Sequence, residues 1–164
     1  MTRSGVEQME TPQFNCYEHH PCCVVVDRRS VYTECVYEAD RFKWIESEKV
    51  GYDLGELAVR SWVQKHWSGY LRARWQEHLQ GNCFWTELDR GDFGLLLQDF
   101  TEHKQLLGQI VNLLSDGREN LDVFTWAEDN KIPLGPVCQI LETLDINSRR
   151  LNHQFDWAII YLTQ

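Results

Sequence analysis

No stretch of this 164-residue chain stays apolar over the roughly 20 residues that a membrane-spanning helix needs, so membranes are not expected among its partners. Its opening residues, Met1 to Gln13, are polar. They have neither the apolar core of a secretory signal nor the Arg-rich pattern of a transit peptide, and the expected location is the cytoplasm. Positive charge is scarce: 16 Lys and Arg stand against 25 Asp and Glu, for a formal charge of −9. That balance opposes generic attraction to DNA, RNA or anionic lipid. Catalytic templates are missing as well. There is no Glu-x-x-His pair for a di-iron bundle, no His-Glu-x-x-His, no Gly-x-Ser-x-Gly elbow and no phosphate-cradling glycine loop. Internal repeats and low-complexity tracts are absent too.

What is present is an ordinary globular composition, 43% hydrophobic and 25% charged, in a chain of single-domain length. Seven Trp, seven Phe and six Tyr supply large rigid pieces for a core, and any that stay outside mark contact surfaces. Six Cys without an export signal read as reduced thiols or metal ligands. Residues 1–13 read as a flexible leader, and residues 14–164 as one helical domain that opens with a Cys- and His-containing arm over 14–30.

The hydrophobic period then organises the chain. Cys22 to Val26 is a short β-branched run, suited to a strand or extended arm. From Val31, apolar Tyr32, Cys35, Val36, Ala39, Phe42 and Ile45 recur at helical spacing, with Glu34, Glu38, Arg41 and Glu48 on the other side and Gly51 as the stop. Asp53 three residues before Glu56 predicts a capping box. The helix behind it should turn Leu57, Ala58, Trp62 and Val63 inward and run to about Leu79, with a bend at Ser68-Gly69. Further helices are predicted after Asp92, Thr101, Asn120 and Pro133, and a last one after Asn147 or Ser148 carrying Leu151 and Phe155. The fold class that follows is mainly all-α, an irregular bundle of about six or seven helices with a short extended N-terminal arm.

Three constellations can carry function. Cys16, His19, His20, Cys22 and Cys23 lie close enough to supply tetrahedral zinc with N and S ligands, although a second ligand pair at conventional spacing is missing and Cys35 falls on an apolar stripe. Between Arg60 and His78, Arg60, Lys65, Arg72 and Arg74 alternate with Trp62, Trp67, Tyr70 and Trp75. Such a segment suits either stacking on nucleic acid or a protein interface. Trp67, Leu71, Trp75 and Leu79, however, fall at four-residue steps and define one apolar face. Residues 121–145 have the outline of a helix–turn–helix, but Leu134, Gly135, Pro136 and Val137 at the start of its second helix are poor readers of bases. Cys83, after Gly81-Asn82, is the cysteine least obviously buried, with no base placed beside it. The run Lys43-Trp44-Ile45-Glu46-Ser47-Glu48-Lys49 reads as helix end and turn.

The reading that follows is a non-catalytic interaction or regulatory module that docks on a protein partner through Trp62, Trp67, Tyr70, Arg72, Arg74 and Trp75, with no cofactor assigned and zinc the one candidate. The alternative is a metal-binding, zinc-like, or redox-responsive protein built on the N-terminal Cys and His residues. A third reading, nucleic-acid binding through residues 60–78, is opposed by the acidic charge of residues 81–164. Oligomeric state is left open.

Overall fold

The computed structural model describes residues 26–147 and Phe155. Within them the chain runs β1 (Arg28–Arg29), α1 (Val31–Val50), α2 (Glu56–Leu79), β2 (Phe84–Trp85), α3 (Leu95–Asp99), a 3-10 turn (Thr101–His103), α4 (Lys104–Ser115), α5 (Asn120–Asp129) and α6 (Leu134–Leu144). Six α-helices against two strands of two residues make the protein mainly α, as the periodicity predicts. No helix among the described residues is long and apolar enough to cross a membrane. The leader over 1–13, most of the Cys22 to Val26 run and the predicted last helix fall outside the described residues, apart from Val26 and a buried Phe155.

The described extended backbone begins just after that apolar run. β1 pairs in parallel with β2, Arg28 opposite Phe84 and Arg29 opposite Trp85. The Phe84 N–H donates to the Asp27 carbonyl at 2.8 Å and the Thr86 N–H to the Arg29 carbonyl at 3.0 Å. This short ladder brings Glu87 to the start of α1. There its carboxylate accepts the Val31 N–H at 2.8 Å and the Ser30 hydroxyl, while Ser30 accepts the Thr33 N–H at 3.3 Å. A carboxylate at this position satisfies orphan donors and complements the positive end of the helix.

α1 starts and stops where the sequence indicates. Gly51 takes a left-handed conformation, φ 79°, and donates its N–H to the Ser47 carbonyl at 2.9 Å. α2 differs at its start. Asp53 does not cap it: the Asp53 carboxylate accepts the Gly55 N–H at 2.8 Å within the connecting loop, and the helix begins only at Glu56, behind a Gly55 at φ 54°. Aspartate readily bonds a backbone two residues on, and here that turn displaces the predicted capping box. Leu57 consequently faces solvent, and Ala58, Val59 and Trp62 face inward. α2 then continues unbroken through Ser68 and Gly69 to Leu79.

Caps differ in the same way further on. Asp92 accepts the Arg90 N–H inside a loop at 3.2 Å, and α3 starts after a left-handed Gly94. Thr101 opens the 3-10 turn that precedes α4, and Pro133 stands one residue before α6. α4 does end at Asp116-Gly117, and α5 does open at Asn120.

One contiguous apolar cluster extends from Val31 in α1 to Leu144 and Ile146 around α6 and to Phe155. Its deepest large side chains include Trp75, Trp85, Leu71, Leu79 and Ile110. The Trp75 indole N–H reaches the Leu144 carbonyl at 2.6 Å, tying α2 to the end of α6. Between Ala39 and Ala58, by contrast, no residue is buried. The outer half of α1, the connection and the first residues of α2 therefore project beyond the core as a two-helix hairpin end.

Candidate functional site

The aromatic residues that the sequence marks for a partner lie inside the protein. Trp62, Trp67, Tyr70 and Trp75 are all buried. Trp67 stacks on Tyr32 and Tyr70, and Phe155 meets both Trp62 and Trp67 edge-on. The Tyr70 hydroxyl donates to the Val31 carbonyl at 2.9 Å. These rings do not form an open face, because Tyr32 of α1 and Phe155 cover Trp62, Trp67 and Tyr70, and Trp75 is buried against His78 and the end of α6. The four-residue spacing of Trp67, Leu71, Trp75 and Leu79 reports the core side of α2, as that spacing ordinarily does.

The arginines between the rings are held by acidic neighbours. Arg60 pairs with Glu56 at 2.6 Å, Arg72 with Glu119 at 2.9 Å and Arg74 with Glu77 at 2.8 Å. Arg74 also lies over the Tyr70 and Trp85 rings at 4.8 and 5.1 Å, so it packs as well as pairs. Arg72 and Arg74 accordingly act as links between α2 and its surroundings. The predicted metal ligands Cys16, His19, His20, Cys22 and Cys23 lie outside the described residues.

Cys83 is not the exposed thiol that its position after Gly81-Asn82 indicates. It is 8% exposed, its Sγ lies 3.5 Å from the Asp27 carbonyl, and burial pushes its thiol up from the ordinary value. A thiol held protonated is a poor nucleophile. Cys35 is more extreme. Burial, with the Glu87 charge adding to it, raises that thiol to about 12, and its Sγ–H donates to the Tyr32 carbonyl at 3.0 Å.

A polar cluster that the sequence reading does not anticipate sits behind β2. His78, fully buried, faces Asp89 at 3.2 Å and Asp92 at 3.5 Å through Nε2. One nitrogen and two carboxylates this close resemble a partial metal site. The other ring nitrogen argues otherwise. Nδ1 accepts the Trp85 backbone N–H at 3.1 Å, so its lone pair is used and Nε2 carries the ring proton. A metal would need the lone pair that Nε2 then lacks. The donor set fits a hydrogen-bonded strut, in which His78 fixes the turn after β2 by accepting from Trp85 and donating toward Asp89 and Asp92.

The exposed aromatics are elsewhere: Tyr37 partway along α1, and Trp44 and Tyr52 on the hairpin end. Trp44 is 65% exposed and Tyr52 66%, and Leu57 beside them is 72% exposed. Among the six described tryptophans, Trp44 is the one that stands in solvent. Trp44 and Tyr52 line an open groove of about 440 Å³ with Lys43, Ser47, Glu48, Gly51 and Asp53. Local bonds hold this groove in shape. The Ser47 hydroxyl accepts the Leu54 N–H at 3.0 Å, the Ser47 carbonyl accepts the Gly51 N–H, and the Asp53 carboxylate accepts the Gly55 N–H.

The sequence does carry one signal for this site. The apolar stripe of α1 runs through Cys35, Ala39 and Phe42, and Trp44 lies off it, on the side of Arg41 and Glu48. A large aromatic on a charged helix face is exposed unless another element covers it. Compared with known proteins, the chain matches no family model, no curated protein and no solved structure.

Proposed function

We propose that this protein is a non-catalytic interaction module that docks on a protein partner through the end of the α1–α2 hairpin. One observation carries the reading. From Asp40 to Leu57 the chain forms a projecting helical hairpin with no buried residue of its own, yet it holds Trp44, Tyr52 and Leu57 out in solvent. Exposed Trp and Tyr are costly to leave hydrated and are the side chains that most often anchor an interface, and a groove already fixed by backbone bonds loses little entropy on binding. The free thiols Cys35, Cys83 and Cys138 support a reducing compartment, the cytoplasm, as its place.

The test replaces Trp44 and Tyr52 together by alanine in the full chain and compares cross-linked partners in the native host by quantitative mass spectrometry. The expected result is that partners enriched on the unaltered protein are lost from the double variant, while both proteins unfold at the same temperature. An unchanged partner set would end the proposal. Loss caused instead by Arg72→Ala would return the interface to the middle of α2.

A further inference from the structure

The groove between Trp44 and Tyr52 has a chemistry of its own, and it deepens the docking reading on which it rests. We propose that it receives the cationic side chain, lysine or arginine, of a basic segment of the partner protein. Three sources of negative potential converge there.

The first is the pair of aromatic rings, whose π faces attract cations. The second is the carboxylates of Glu48 and Asp53, which line the groove from α1 and from the connection. The third is the C-terminal end of α1 itself: the groove is built on the last two turns of a 20-residue helix, where the carbonyl ends of the peptide dipoles gather.

Most of the positive charges nearby are already committed, and Arg41, exposed on α1, does not line the groove. Lys43 also lines the groove but pairs with Asp40 at 3.3 Å on the preceding turn, Lys49 pairs with Glu46 at 2.6 Å, and Arg60 pairs with Glu56 at 2.6 Å. Over residues 40–57 five acidic side chains face three basic ones, and the chain as a whole carries −9, so the long-range field also draws a basic partner toward this surface. An acidic segment would meet Glu48 and Asp53. A purely apolar one would leave both carboxylates desolvated without a counter-charge.

The experiment is a ¹H–¹⁵N NMR titration of the full chain with three short capped probes: one Lys- and Arg-containing peptide, one with Glu at the same places, and one with Leu. The expected result is saturable movement of the Trp44 indole N–H and of the Ser47 to Asp53 amides with the basic peptide alone. Trp44→Ala should abolish it, and the Glu48→Gln, Asp53→Asn pair should weaken it about 3- to 10-fold. All three residues line an exposed groove, so the variants keep their fold, which their unchanged spectra elsewhere verify.

Movement centred on the acidic residues of α5 and its start, Glu119, Asp122, Glu128 and Asp129, with the Trp44 signal still, would overturn the proposal, as would equal affinity in the charge-neutral pair. Saturation by the Glu or Leu peptide at the same resonances would overturn the cationic ligand and leave the docking reading standing. That reading fails separately, through the partner set of the Trp44, Tyr52 double variant.

Discussion

The two halves of the α1–α2 hairpin are built from the same residue types and do opposite things with them. In the inner half, Trp62, Trp67 and Tyr70 meet Tyr32, Phe155 and one another, Trp75 stacks on His78, and the arginines between them pair with Glu77 and Glu119. In the outer half, Trp44 and Tyr52 meet solvent, and the lysines pair along their own helix with Asp40 and Glu46. An alternation of aromatic and basic residues thus says nothing by itself about exposure. What decides it is whether another element reaches that stretch of helix: α6 and Phe155 reach the inner half, and nothing among the described residues buries the outer one.

The sharpest way to break this contrast is to remove an inner ring. Trp75→Ala takes away a fully buried indole and its bond to the Leu144 carbonyl, and should cost about 3–5 kcal/mol in urea unfolding. A loss below about 1 kcal/mol would mean that α2 and α6 are not packed as described.

A smaller effect is expected at the base of the hairpin. Glu87→Ala leaves the buried Val31 N–H without its carboxylate and should cost about 1–3 kcal/mol. Hydrogen exchange at the first turn of α1 should rise with it, while exchange at the hairpin end stays as it was.

Smaller again is an alkaline effect in which the outer half has no part. Cys35 in the folded protein holds its proton to about 12, whereas the unfolded thiol releases it near 9. The contribution is fully present below pH 9 and is lost as pH rises from there through the folded value. Stability should thus fall by about 1 kcal/mol by pH 10. The Tyr70 phenol, also raised by burial, adds to the slope above its ordinary 10. Denaturant midpoints of the Cys35→Ala variant measured across this range should lack the first part of the decline. An identical slope in the variant would assign the loss to other groups.

Much of this architecture was legible in advance, and the failures have a common physical cause. The 3.6-residue period locates α1 from Val31, its stop at Gly51, and the buried side of α2 through Trp67, Leu71, Trp75 and Leu79, because burial of one face is what makes these helices stable. Caps were less legible. Asp53, Asp92 and Thr101 have the right residue type for an N-cap, but the same side chains also satisfy backbone groups in turns, and Asp53 and Asp92 do so here. The His78 cluster joins residues from α2 and from the loop after β2, and no local pattern announces a contact formed by the return of the chain. For the proposed docking site, the stretch richest in Trp and Arg points to the wrong part of the hairpin, because composition cannot distinguish a core helix from a surface one. The position of Trp44 relative to the stripe of α1 could have, since phase carries the information that abundance lacks.

The smallest expected effect is the most discriminating. Trp44→Ala and Tyr52→Ala each remove an aromatic side chain as large as those in the core, yet each should change unfolding free energy by no more than about 0.5 kcal/mol, because the ring has little burial to lose. The same substitution at Trp75 is expected to cost several times the whole of that. If Trp44→Ala proves as costly as a core substitution, the ring is covered in solution by some other part of the chain, and the hairpin end is an internal contact instead of a free one. If it is neutral, the protein carries an exposed tryptophan that contributes nothing to its own stability, as the proposed docking end requires.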